Sequence, residues 1–220
     1  MRARMPKITM ALLTAALVGT SVSAQETPRT RAQGTLPADV FAQVDAAARA
    51  AEQEGIPGDI LFNKALEGAA KRVPADRLAP AVEAYAGRLR QARGAFGPEA
   101  RGPLLVAGAD ALQRGVGADV LRALGQSPDR SPMACLVLAD LMETGVGGDH
   151  ALSLVREALQ RRAREQQMLD MPAQVRRLMR QGQSAQDAVE QVRRGLQRGR
   201  GMTPPVAPGA EPMTRGRRGG

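Results

Sequence analysis

The chain has no tryptophan, one tyrosine and three phenylalanines among its 220 residues. With so few rings, and with Ala, Leu and Val supplying most of the apolar content, a core must close through small side chains at short range, as packed helices do. Strand formers such as Ile, Thr, Tyr and Phe are sparse, which argues against a sheet. The expected fold class is all-α.

Cysteine and histidine are almost missing too. Cys135 is the only thiol, so no disulfide forms within the chain. It lies in the apolar run Met133 to Leu138 and is expected as a small buried residue, the alternative being a disulfide between two copies. A nucleophilic role would need a base beside it. The only imidazole is His150, expected in the first turn of a helix and exposed. One histidine with no thiolate nearby makes a poor zinc set. G-V-G-A-D and G-V-G-G-D lack the lysine and the preceding strand of a phosphate loop, and no G-x-S-x-G elbow occurs. Glu67 and Glu83 are conceivable as a general acid and base, with surface pairing of Glu83 to Arg90 or Arg88 as the simpler reading. No catalytic, metal-binding or cofactor-binding residue is assigned, and a non-enzyme is expected.

A bilayer-spanning run is absent. Ile8 to Val18 is apolar but shorter than the roughly 20 residues a span requires. It follows Arg2, Arg4 and Lys7 and precedes Val22-Ser23-Ala24, the three parts of a secretory signal. Residues 1–24 are therefore expected to be a signal peptide, an uncleaved anchor being the alternative. The mature chain is expected in the periplasm or outside the cell, with no transmembrane segment.

The formal charge of +9 sits at the ends. The signal carries three cations and no acid. From Arg193 onward Arg193, Arg194, Arg198, Arg200, Arg215, Arg217 and Arg218 face only Glu211, so residues 25–192 are neutral. A basic body shaped for nucleic acid is not indicated. The tail segments R-G-R-G and R-G-R-R-G-G resemble the Arg-Gly tails of nucleic-acid binders, without interleaved aromatics. For an exported chain the available anions are phospholipid head groups, lipopolysaccharide phosphates and acidic polymers. Arg198, Arg200, Arg215, Arg217 and Arg218 are thus candidate anionic-surface contacts.

What the chain has in quantity is one short stretch. It reads Ile56-Pro57-Gly58-Asp59-Ile60 and Val73-Pro74-Ala75-Asp76-Arg77, with looser copies at Leu36, Val116 and Val146 and a degenerate one at Gln183. Proline presets the first turn of a helix, and Asp there meets the positive end of the helix dipole. The stretch reads as helix, tight turn, helix. As a calcium set it fails, because each turn offers a single Asp where several oxygen ligands are needed.

Helices are predicted over 37–54, 57–71, 74–94, 103–114, 116–125, 131–143, 149–169, 172–180 and 184–197. Pro80 is awkward within the third, so either its first turn is separate or the helix begins near Ala79. The segment 131–143, with Leu136, Leu138 and Leu141, is the most apolar and is expected at the centre of the core. Residues 25–35 and the Pro, Gly and Arg-rich residues 199–220 are expected to be disordered, leaving 36–198 as the helical domain. The motifs G-I-P-x-D-I-L, K-A-L-E-G-A-A-K, V-P-A-D-R-L and A-Y-A-G-R-L, between Gly55 and Arg93, are similar to uncharacterised secreted helical proteins of bacteria with G-[IV]-P-x-[DE] turns. That resemblance implies an exported all-helical protein and brings no activity, cofactor or site residue. Consecutive hairpins form either an irregular bundle or a short solenoid, the uneven turn spacing favouring the bundle. The function expected is a non-enzymatic binding or scaffold module of unknown partner. The alternatives are a binder of anionic lipid or lipopolysaccharide through the Arg-rich tail, or an enzyme of unrecognised class.

Overall fold

A computed structural model of the chain describes residues 26–198. Among these residues run ten helices and no strand. They are α1 (Pro28–Thr35), α2 (Ala38–Gln53), α3 (Asp59–Ala70), α4 (Ala75–Phe96), α5 (Gly102–Gln113), α6 (Ala118–Gly125), α7 (Pro132–Glu143), α8 (Gly148–Gln160), α9 (Glu165–Arg180) and α10 (Ala185–Gln197). The all-α expectation is met. The signal segment and the tail 199–220 lie outside the described residues.

One backbone device closes six of the joints. Gly55, Arg72, Gly115, Gly145, Arg162 and Gly182 take a left-handed conformation with φ between 51° and 92°. The next amide then folds back onto the carbonyl five residues earlier: Ile56 onto Ala51, Val73 onto Gly68, Val116 onto Ala111, Val146 onto Leu141, Ala163 onto Ala158 and Gln183 onto Leu178, at 2.9–3.3 Å. This is the Schellman cap, in which a left-handed residue lets the chain satisfy the last carbonyls of a helix. The apolar residue of the recurring stretch therefore belongs to the cap of the helix before it, and Ile56, Val116 and Val146 are buried there. Asp39, Asp59, Asp76, Asp119, Asp149 and Asp187 lie in the first turn of the helix after it. Charge at the positive helix end stabilises each by about 0.3–1 kcal/mol. Where a hydroxyl is available it caps: Ser131 accepts from the Ala134 amide at 3.2 Å and Ser184 from that of Asp187 at 3.1 Å.

The helix boundaries depart from the sequence reading in three places. Residues 28–35 form α1 where composition predicts disorder. Thr27 caps it by accepting from the Thr30 amide, Pro28 presets its first turn, and burial of Ala32 and Leu36 offsets the cost of ordering a polar segment. α4 passes through Pro80 unbroken. The amide that proline lacks would have met the Asp76 carbonyl at the exposed start of the helix, and Leu78, Ala79, Val82 and Tyr85 are buried on both sides of it. The segment 149–169 is not one helix. α8 ends at Gln160, Arg162 turns the chain, and α9 runs from Glu165 through a buried Pro172 rather than starting there. No glycine marks that joint, which is why it reads as continuous helix.

Most helices pack on the one two places along, and several also on the next. The even helices α2, α4, α6, α8 and α10 thus form one row, and α1–α3 and α5–α7–α9 form the other. The two rows make an all-α bundle, irregular as expected because the second row is interrupted where α3 and α5 scarcely meet. α4, the longest helix at 22 residues, bridges that interruption by packing against both. α7 is central as expected, with Val137, Leu138, Ala139 and Leu141 fully buried between α5, α8 and α9.

Small residues set the spacing. A methyl group at Gly125 would lie 2.2 Å from the Ala95 carbonyl oxygen of α4, a backbone atom that has no rotamer to yield. Gly125→Ala is accordingly expected to destabilise by about 1–3 kcal/mol in urea unfolding. Arg162→Gly should do the opposite, raising stability by about 1 kcal/mol by relieving a left-handed residue that carries a Cβ. A fall of that size would show that the arginine side chain itself holds the turn.

Candidate functional site

Where α3 and α5 part, the floor of the gap is Tyr85 of α4. Ile60, Asn63, Lys64 and Glu67 of α3 form one wall and Val106 and Asp110 of α5 the other, enclosing about 240 Å³. On the far side of α5 lies a second cleft of about 320 Å³, between Pro103, Val106 and Ala107 of α5 and Met133, Leu136 and Ala139 of α7. Val106 and Asp110 border both, so α5 is a ridge between a polar groove and an apolar one.

Helical spacing produces this arrangement. In α5, Leu105, Gly108, Ala109 and Ala111 are buried, which leaves Val106 and Asp110, one turn apart, on the outer face. In α7 the same spacing puts Leu136 and Asp140 outside. Leu136 is 42% exposed, so the sequence expectation that it joins the core is corrected. Among the described residues Leu169 on α9, in the same row of helices, is the other large exposed apolar side chain, at 36%.

The polar groove is electrostatically mixed. The Tyr85 ring has the Lys64 ammonium 5.1 Å from its centre and the Arg88 guanidinium at 5.6 Å, both within cation–π range. Burial, and then the neighbouring Asp110 carboxylate, pushes the Tyr85 hydroxyl well above its ordinary value of 10, so it stays protonated and able to donate. Glu67 is bound by Lys71 and by Lys64, the latter at 3.0 Å, and these lysines hold it below the usual carboxylate range. Among the described residues Asp110 has no ion-pair partner. The apolar cleft is bounded by Arg114, which pairs with Asp140 and, at 2.6 Å, with Glu143 of α7. Cys135 lies at the foot of that cleft as a free, fully buried thiol, pushed up to about 12 by burial and therefore not a thiolate at neutral pH.

The residues singled out by sequence fall elsewhere or play other parts. Glu83 pairs with Arg90 at 3.3 Å, and Arg90 also holds Glu54, the C-cap of α2, at 2.8 Å. Glu67 and Glu83 are thus each engaged by cations. His150 is exposed in the first turn of α8. Arg198 is the exposed C-cap of α10, while Arg200, Arg215, Arg217 and Arg218 lie outside the described residues. Among the described residues no group of three His, Cys, Asp or Glu is placed to hold a metal, and no helix is long and apolar enough to cross a membrane.

Tyr85, Val106, Asp110 and Leu136 escape a reading by periodicity. Tyr85 sits on the buried stripe of its helix, and only the α3–α5 gap uncovers its edge. In α7 the apolar residues run round most of the helix, and the only sign of the outer face is Asp140 one turn beyond Leu136. No protein-family model, curated protein or solved structure matches the chain.

Because Tyr85 is the sole tyrosine and tryptophan is absent, its ionisation is readable directly as tyrosinate absorbance. A folded-state value raised above the unfolded value of 10 contributes stability that is complete below pH 10 and declines above it. The phenol should therefore stay neutral in the native protein at pH 10 and ionise together with alkaline unfolding. Ionisation near pH 10 with the far-ultraviolet helix signal intact would contradict this environment.

Proposed function

We propose that this protein is an exported, non-enzymatic helical module that holds a segment of a partner protein on the outer face of α3, α5 and α7. The observation that carries the reading is the open apolar cleft between α5 and α7, with Leu136 on its rim and the unpaired Asp110 on its ridge. A single exposed aliphatic is ordinary on a monomer, but one continuous with an apolar groove and rimmed by charged residues is the usual form of a protein-interaction site. An aliphatic side chain seated between Val106, Met133 and Leu136 would leave a Lys or Arg about one helical turn away facing the carboxylate of Asp110.

The chemistry of the face favours binding over catalysis. Its phenol is held neutral, its Glu67 is tied by two lysines and its thiol is raised to about 12. Acid–base catalysis works best with a group poised near the working pH. Export is supported by the three-part signal in residues 1–24 and by the resemblance of residues 55–93 to secreted helical proteins.

Selection from a random peptide library on the immobilised full chain tests this reading, with Tyr85 fluorescence as the binding signal. Enriched peptides should combine an aliphatic residue with Lys or Arg three or four positions away. Leu136→Asp should weaken them by roughly tenfold or more, since it places a charge against apolar walls. Asp110→Asn should weaken them by roughly three- to fivefold and lower their salt dependence. The reading fails if no peptide is enriched, if both variants bind as the parent does, or if a catalytic turnover depends on this face.

A further inference from the structure

We propose that the α8–α9 turn together with the C-terminal end of α10 forms a docking surface for an anionic phospholipid membrane. This site is remote in sequence from the α5 ridge and does not depend on the reading of that ridge.

Helices of the even row run parallel, so the ends of α8 and α10 fall on the same side of the stack. Arg193 of α10 donates to Ser153 of α8 at 3.0 Å, and one turn further on Glu157 lies beside Arg161, Gln197 and Arg193. This side therefore gathers Arg161, Arg162 and Arg164 from the α8–α9 turn with Arg194 and Arg198 from α10. The acids there are Glu157, Glu165 and Glu190. Glu157 is taken by Arg161 and Glu190 by Arg193 at 3.3 Å. Among the described residues Arg162, Arg164, Arg194 and Arg198 form no ion pair, and all four are exposed.

The turn itself carries the second observation, because its arginines are poor choices for its backbone. Arg162 holds a left-handed φ of 51° at the position that glycine fills in four of the five equivalent turns and Arg72 in the fifth. A residue with a Cβ is strained there. Arg164 occupies the N-cap of α9, where the equivalent joints use Pro74, Gly117, Gly147 or Ser184. A cation at that end opposes the helix dipole. Local preference broken at successive turn positions in favour of the same exposed side chain points to a use for that side chain.

The geometry favours a surface over a small anion. The cations come from separate segments around the end of the last hairpin and line neither of the clefts beside α5. Beyond Arg198 the sequence continues with Arg200, Arg215, Arg217 and Arg218 against Glu211 alone. Each exposed arginine near an anionic bilayer is expected to contribute roughly fivefold in partitioning, falling as salt shortens the Debye length.

The test is sedimentation of the full chain with vesicles of phosphatidylcholine alone or mixed with phosphatidylglycerol, at low and high salt. The mixed vesicles should bind the protein at low salt and release it at high salt. Arg162→Gly should weaken binding roughly fivefold while leaving the melting temperature equal or higher, so that misfolding cannot explain the loss. Arg194→Gln with Arg198→Gln should weaken it further. Arg72→Gly, which replaces the other left-handed arginine at the opposite end of the stack, should bind as the parent does. The proposal is overturned if Arg162→Gly binds unchanged, if Arg72→Gly loses as much as Arg162→Gly, if neutral vesicles bind equally, or if the protein takes up soluble polyphosphate but no vesicles.

Discussion

A left-handed residue at the end of a helix, with the following amide folded back to the carbonyl five residues earlier, is the constraint from which the rest of this structure follows. It ends a helix within three residues and sends the chain back along the same face. The chain turns back at such a joint, and in most of the stack the helix two places along comes to lie beside the first. Two rows of helices are the geometric consequence, and burial of the apolar stripes locks them together. The aspartates at the helix mouths assist by opposing the dipole, but direction is set by the backbone. That explains why the turn tolerates Pro, Gly, Ser or Arg before the helix while its left-handed position is filled by glycine four times in six.

The same constraint accounts for the grooves. With almost no aromatic side chains, the rows close through Ala, Gly and Leu, and contacts such as Gly108 on Phe96 and Gly125 on the α4 backbone leave no tolerance for a methyl group. α4 is longer than its neighbours and packs against α2, α3, α5 and α6. It spans the place where α3 and α5 fail to meet, and Tyr85 is seen from outside only because of that failure. The polar groove is thus a defect in the stacking of one row, and the apolar cleft beside it is the ordinary valley between two helices, made unusual by Leu136 on its rim.

Much of the fold was legible because its signals are local. Gly55, Gly115, Gly145 and Gly182 announce helix ends, Ser131-Pro132 announces a start, and Cys135 in its apolar run announces burial. The misreadings have a common cause. Arg162 does what a glycine normally does, Thr27-Pro28 starts a helix in a segment that composition assigns to disorder, and Pro80 and Pro172 sit inside helices that tertiary packing holds straight enough to continue. For α1 and for the two prolines, packing against residues distant in sequence outweighs a local preference of about 1–3 kcal/mol. Leu136 was misplaced for a related reason. A helix that is apolar nearly all round does not say which side faces water.

The sequence by itself determined the helical class, the position of most joints, the isolation of each Asp in its own turn and the concentration of positive charge toward the C-terminal end. These are properties of single residues and their near neighbours, governed by φ, by dipoles and by side-chain size. Only the tertiary structure decided that Val106 and Asp110 stand on a ridge, that Tyr85 floors a groove, and that Arg161, Arg162, Arg164, Arg194 and Arg198 share one end of the stack. Those facts depend on which helices touch and which do not, and that is settled by packing between residues far apart in the chain.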